Sequence, residues 1–322
     1  VINDGSLKRR EYWVFGLRVR SDLKLPELIP VEGDSEPDVR VELGAITEQG
    51  SGDGLVALNG ALLLTVAEVG RFLIQDGARI VVDADADVDE QNIRLFLLGS
   101  AFGALLHQRG LLPLHANAIE IGGKTFAFMG ASGSGKSTLA AWFHDRDHRV
   151  IADDVCVVRS TADRRAYVSP GQQRLRLWKE ALEATGRDSR DYRRSFSGRK
   201  GIDKFDLPFE PKKPGAEDCE LAGIYVLSNT DRFSIERLEG LPAAEAVFSH
   251  TYRGQFLRET RSHKLHWERA IALVQRVPIF RIDRQRDLSL LERDGLKILD
   301  HAATILAGNS SLGLESSVPP QR

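Results

Sequence analysis

The chain is poor in the features of secreted and membrane-embedded proteins. Two cysteines, Cys156 and Cys219, stand in 322 residues. They are too few for a disulfide framework or a zinc cluster, and they suit a reducing cytosol. The most apolar stretch, residues 95–106, is too short to span a bilayer. Residues 1–10 are polar and lack an apolar h-region, so no signal peptide is expected there. The missing initiator Met points to a trimmed or incomplete N-terminus. Charge of one sign is scarce too: 44 Lys and Arg against 46 Asp and Glu leave a net charge of −2. No bulk basic field therefore recruits nucleic acid. Internal repeats are absent. A cytoplasmic globular protein with neither a nucleic-acid nor a membrane partner is expected, and 42% apolar with 28% charged residues fits that class.

What is present is a phosphate-binding signature. Gly130, Ala131, Ser132, Gly133, Ser134, Gly135, Lys136, Ser137 and Thr138 match G-x-x-x-x-G-K-[ST], the P-loop. The glycines let the backbone turn tightly and approach an anion. The loop N–H groups then form a nest for phosphate oxygens. Lys136 can reach the terminal phosphates, and the Ser137 hydroxyl can ligate Mg²⁺. The competing reading is a chance Gly/Ser-rich turn. A β-rich run at 124–129 and a helical run at 138–143 decide against it, because strand–loop–helix is the setting the motif requires.

Around this loop the chain alternates strand and helix signals. Residues 12–83 read as strands, with a hairpin at Asp76 and Gly77. Asp87 or Asp89 is a candidate N-cap for a helix over 91–108. The pair Gly122 and Gly123 reads as a two-residue turn, so the strand entering the P-loop should run antiparallel to its predecessor. An ordinary βαβ unit would place a crossover there, so the sheet is expected to be mixed. Residues 149–158 read as short strands around an acidic pair, and 195–213 as a mobile loop. A strand at 222–228, helices within 241–275, a strand at 277–282 and a helix at 287–307 follow. The expected division is a β-rich region at 1–90, a catalytic domain at 91–307 and a disordered tail at 308–322.

Asp153 and Asp154 end an apolar run after the P-loop helix. One carboxylate there is the usual Mg²⁺ partner of a P-loop. Two allow a division of labour: one holds metal, through water, and the other takes a proton from an attacking hydroxyl. Neighbouring strand residues point to opposite faces, so both can serve one site only where the strand ends or bulges. Positive charge around a transferring phosphoryl group would come from Arg174, Arg176, Arg199, Lys200 or Lys204. These five are candidate phosphate or substrate contacts, and a solvated basic face competes for each. The cluster at 187–194 reads as exposed helix.

The order Leu114-His115-Ala116, P-loop, helix, then Ala152-Asp153-Asp154 resembles the catalytic domain of HPr kinase/phosphorylase. In that family an LHG-like segment leads through a hairpin into GxSGxGKS and on to an ADD segment. The match is good over 110–160 and looser at 175–178 and 277–282. It implies an α/β fold: a phosphoenolpyruvate-carboxykinase-like P-loop core with a mixed sheet, preceded by a smaller β-rich N-terminal region. It also implies that Asp153 is the general base, that Asp154 holds Mg²⁺ with Ser137, and that His115 lines the site. The family's RGxGI signature is not in place. Residues 198–202 are a faint echo further along, so the reverse, dephosphorylating reaction is not expected. Residues 12–28 look like the start of stand-alone HPr-kinase-like proteins, some of which phosphorylate a serine near the C-terminus of a lasso-peptide precursor.

The leading expectation is therefore an ATP- and Mg²⁺-dependent kinase acting on a Ser or Thr hydroxyl of a peptide or small protein. A nucleotide-gated regulatory module and an HPr-type protein serine kinase are the alternatives. A carboxykinase-type metabolic enzyme is disfavoured, because no His/Asp cluster supplies its extra metal ligands.

Overall fold

The structure, a computed structural model, describes residues 10–33, 35–50, 52–161, 165–197, 203–209 and 217–312, with side chains described as far as 308. The first eight strands are β1 (Arg10–Val14), β2 (Leu17–Ser21), β3 (Ile29–Pro30), β4 (Val39–Leu43), β5 (Gly54–Ala57), β6 (Ala61–Val66), β7 (Gly70–Gln75) and β8 (Arg79–Ala84). They form one sheet in the order β3-β1-β2-β4-β8-β7-β6-β5. The pairs β2–β4 and β4–β8 are parallel, and the rest are antiparallel. Asp76 and Gly77, at φ 52° and 61°, turn β7 into β8, the left-handed pair that a two-residue hairpin needs. The β-prone run at 12–19 folds as a second such hairpin, with Phe15 at φ 54° and Gly16 at 71°. A bulky residue rarely adopts that conformation. Burial holds it there: Phe15 is fully buried and its ring lies 6.2 Å from that of Phe102.

Asp89 caps α1 (Glu90–Phe96), its side chain accepting from the Gln91 N–H. A π-helical stretch, Leu97–Ala101, joins α1 to α2 (Phe102–Gln108). The buried side chains of this segment pack with those of the N-terminal sheet, and Val155, Val157, Tyr252 and Phe256 join the same cluster. Packing is thus continuous across residue 90.

The second sheet carries the P-loop. Its elements are β9 (Leu112–Leu114), β10 (Ala116–Ile121), β11 (Lys124–Gly130), α3 (Lys136–His144), β12 (Val150–Ala152), β13 (Cys156–Ser160) and β14 (Ala166–Ser169). Next come β15 (Arg174–Trp178), α4 (Lys179–Ala184), β16 (Arg193–Arg194), β17 (Lys204–Pro208), β18 (Cys219–Asn229), β19 (Ser234–Leu238), α5 (Gly240–Ser249), α6 (His263–Val274), β20 (Ile279–Arg284) and α7 (Leu291–Leu312). The order is β12-β10-β11-β18-β14-β13-β9, with β20 on β18 and β19 on β20. As expected from Gly122 and Gly123, at φ 59° and 78°, β10 and β11 pair antiparallel. Yet β11–β18 and β18–β20 are parallel, so the sheet is mixed. Helices α3 and α7 cover one face, and α5 and α6 the other. The fold is mixed α/β. Among the described residues, no helix is long and apolar enough to cross a membrane.

Three expectations are corrected. The presumed loop at 195–213 contains β17, the centre of a small sheet ordered β15-β17-β16. Its Phe205 and Leu207 are buried against Leu175 and Leu177, an alternation hidden among flanking Gly, Lys and Pro. The cluster at 187–194 is a single 3₁₀ turn, Ser189–Asp191, followed by β16, too short for a helix. The last helix runs to Leu312, past the expected boundary at 307, and residues 313–322 of the expected tail lie outside the described residues.

Helix α7 is fixed to the P-loop helix through Trp142. Its Nε1 donates to Glu292 at 2.8 Å, and a β-carbon on buried Gly295 would sit 2.5–2.6 Å from the Trp142 ring. Gly295→Ala should therefore lower stability by about 1–3 kcal/mol through overpacking, despite alanine's better helix propensity. Urea unfolding would measure it, and an unchanged midpoint would show that the ring gives way freely.

Candidate active site

Strand β11 ends at Gly130, and the loop from there to Lys136 turns through Gly130, Gly133 and Gly135 at φ 151°, 80° and 88°. At Gly130 a β-carbon would lie 2.6 Å from Ser134 Oγ and 2.9 Å from the Leu227 carbonyl, so the spelling of the loop is steric. Lys136 Nζ donates to the carbonyls of Gly130 and Ala131 at 2.8 and 3.2 Å. Burial pulls its pKa down, and Asp154 and Asp153 work against that.

The adjacent carboxylates share the site because β12 stops at Ala152. Asp154 then takes φ 68°, a left-handed conformation that Asp tolerates better than most residues. The chain turns between the two residues instead of alternating. Asp153 Oδ2 accepts the Arg176 N–H at 2.8 Å, and Oδ1 accepts from Ser137 Oγ at 3.3 Å. Asp154 Oδ2 accepts from the Arg176 guanidinium at 2.5 Å, and His115 Nδ1 lies 3.2 Å from Oδ1. These environments drive the pair apart. Burial and then the Asp154 charge push Asp153 above the usual carboxylate range, with Arg176 opposing. Burial also pushes Asp154 up, but Arg176 and His115 outweigh it and hold that carboxyl well below the range.

These groups edge a cavity of about 660 Å³, lined by residues 132–138 with His115, Asn117, Asp154, Arg176, Trp178, Lys204, Arg284 and Arg286 among others. That volume lies within the usual range for a small-molecule site. Of the residues singled out in the sequence, the P-loop, His115, Asp154, Arg176 and Lys204 meet here, and Asp153 lies just beneath. Lys204 sits over the Trp178 ring at 5.1 Å. Arg174, two residues before Arg176 on β15, points the same way but is buried further from the cavity. It donates to Asp206 at 2.6 Å and to Gln172, with Glu27 3.9 Å away. That network, not phosphate, accounts for its charge. Arg199 and Lys200 lie outside the described residues. Ser137 contacts Asp153 directly and lines the same cavity as Asp154. Among the described residues no cluster of three or more His, Cys, Asp or Glu side chains is arranged to hold a metal. Mg²⁺ characteristically needs only one or two carboxylates, completed by phosphates and water, and Ser137 with the acidic pair meets that requirement.

Sequence reasoning missed Arg284, Trp178 and Asn117. Arg284 is 7% exposed and donates to the Ser134 carbonyl at 3.0 Å. Burial lowers its pKa and Asp294 partly restores it. The available signal was its place at the carboxyl end of a strand parallel to its neighbour, the edge where α/β sheets bind ligands.

No family model matches the chain, and no curated protein matches it. Among solved structures it is similar to the HPr(Ser) kinase/phosphatase from Coxiella burnetii, at 13% identity and a TM-score of 0.32, over 60% of this chain and 97% of that one.

Removing Arg176 would leave the partly buried Asp154 without its main counter-charge. Arg176→Ala should cost about 3 kcal/mol at neutral pH. Asp154, with its depressed pKa, contributes stability above the ordinary carboxylate pKa and loses it as acid protonates it. The gap between wild type and variant should therefore narrow as pH falls below about 4. Denaturation at several pH values measures it, and a gap independent of pH would remove the pair from the account.

Proposed function

We propose that the chain is an ATP- and Mg²⁺-dependent kinase that phosphorylates a Ser, or Thr, hydroxyl of a peptide or small protein. The observation that carries this reading is the convergence of the P-loop Lys136 and Ser137 with Asp154 on one cavity, with Asp153, of opposed pKa, directly behind Ser137. Pairs of titratable groups pushed apart in this way mark acid–base roles. Asp153 is the proton acceptor. Its Oδ2 is committed to the Arg176 N–H, whereas Oδ1 has only the 3.3 Å contact from Ser137 among the described residues. Asp154, kept ionised, is the carboxylate that would hold Mg²⁺ together with Ser137. The ion, when bound, would neutralise charge on the β- and γ-phosphates.

In the transfer, the acceptor oxygen bonds to the γ-phosphorus, the bond from that phosphorus to the β–γ bridging oxygen breaks, and the hydroxyl proton passes to Asp153. Lys136, Arg176, Lys204 and Arg284 supply the positive charge that a phosphoryl transition state draws on. His115 keeps Asp154 oriented. The antiparallel β10–β11 hairpin entering the loop fits a phosphoenolpyruvate-carboxykinase-like core. In this reading residues 91–307 form the catalytic unit, with 1–90 as a β-rich accessory region. The resemblance of residues 12–28 to stand-alone kinases supports a serine at the C-terminus of a lasso-peptide precursor as acceptor, ahead of HPr.

Mass spectrometry after incubation with ATP and Mg²⁺ should find one added phosphate on a peptide ending in serine and none on HPr. The reverse preference would make the chain an HPr-type kinase. ATP binding without transfer to any acceptor would leave the regulatory module. Asp153→Asn should lower transfer at least about a hundredfold, as expected for loss of a general base, with ATP affinity little changed. Because Asp153 is raised, the acid limb of the wild-type kcat/KM profile should lie above pH 4. A variant that keeps transfer but loses ATP and Mg²⁺ binding would exchange the roles of the two carboxylates.

A further inference from the structure

The Asn117 side chain has no hydrogen-bond partner among the described residues. The residue lies in β10, opposite Phe128 of β11, and its neighbour Ala118 pairs with Ala152, the residue before Asp153. The side chain is 1% exposed, and neither Oδ1 nor Nδ2 has a hydrogen-bond partner among the described residues. The strand positions around it, Ala116, Ala118 and Ile119, are buried and apolar. An apolar side chain of similar size would avoid the desolvation that an unpaired buried amide suffers. The residue also lines the cavity, together with Lys136, Ser137 and Asp154. His115, in the bend just before β10, lines the same cavity.

We infer that Asn117 is a catalytic residue that contacts the transferred group, its Nδ2–H donating to a γ-phosphoryl oxygen of ATP. This rests on the nucleotide reading of the P-loop given above. The position favours the terminal phosphate. Asn117 lies beside the groups assigned to the γ-phosphate and metal, and a carboxamide presents a donor where an anion arrives. The amide thereby distinguishes ATP from ADP, which lacks the group that satisfies it.

Equilibrium binding of ATP and ADP, each with Mg²⁺, tests the inference on the full chain. Asn117→Leu removes the donor at similar volume. ATP affinity should fall about tenfold or more, the size of one hydrogen bond to a charged group, with ADP affinity within about twofold of wild type. Without nucleotide the Leu variant should melt at or above the wild-type temperature, since no protein hydrogen bond is lost. Asn117→Asp keeps the shape and places a negative charge against the phosphate, so it should weaken ATP over ADP more strongly still. It decides the matter alone if the Leu variant does not fold. An ATP-to-ADP affinity ratio equal to wild type in the folded variants would overturn the assignment while leaving the P-loop reading intact. Failure of the wild type to bind either nucleotide would overturn both.

Discussion

Two carboxylates, adjacent in the chain and both withdrawn from bulk water, must be kept from repelling each other, and Arg176 meets that constraint. Its backbone N–H binds Asp153 and its guanidinium binds Asp154, so one residue serves both. A buried charge without a partner is strongly destabilising. The position of β15 is therefore not free. The small sheet that carries it has to dock where Arg176 reaches the end of β12. Leu175 and Leu177 fix it from the apolar side. Arg174, through Asp206 and its approach to Glu27, fixes it from the polar side and ties in the N-terminal region. Glu27 also binds Arg94 of α1 at 2.9 Å, so ion pairs run from Asp206 through Arg174 and Glu27 to the first sheet's covering helix, and Arg176 joins them through the backbone of β15.

Arg176, with His115, also accounts for the unequal chemistry of two identical side chains. Asp153 interacts through one backbone donor and one hydroxyl, and burial dominates it. Burial is the largest single effect on Asp154 too, but there a full guanidinium and an imidazole together outweigh it. The difference follows from a single local event, the left-handed turn at Asp154, which sends consecutive side chains in the directions that a continued strand would have kept apart.

Much of this was legible in the residues, and the boundary is physical. Turn chemistry reads well: Gly122 with Gly123, Asp76 with Gly77 and the Asp89 cap all behave as their local rules require. The P-loop is legible for the same reason, because its glycines answer to backbone geometry within nine residues. What escaped depends on distant partners. The turn at Phe15 exists because a fully buried ring outweighs its own backbone preference, and β17 exists because β15 lies beside it. Arg174 and Arg176 look equivalent in sequence. Asp206, thirty-two residues on, claims the first, and Asp154, twenty-two residues back, claims the second. Asn117 is the opposite case, a polar side chain that nothing among the described residues claims.

The cations of the cavity differ in how readily they can meet an incoming polyphosphate. Lys136 is held by two loop carbonyls, Arg176 by Asp154, and Arg284 by the Ser134 carbonyl. Each must share or exchange a hydrogen bond before it serves a phosphate. Lys204 differs: among the described residues its ammonium meets only the face of Trp178. It also stands close enough to both carboxylates and to Lys136 to shift all three. A cation–π contact at a partly exposed site is worth about 0.5–1 kcal/mol, less than a charge-assisted bond to phosphate. Lys204 can therefore change partner at the least cost, and it does so from the one strand that sequence reading had taken for a loop. The strand matters for that reason: it delivers a mobile charge from a fixed base, opposite a P-loop whose own lysine is already engaged.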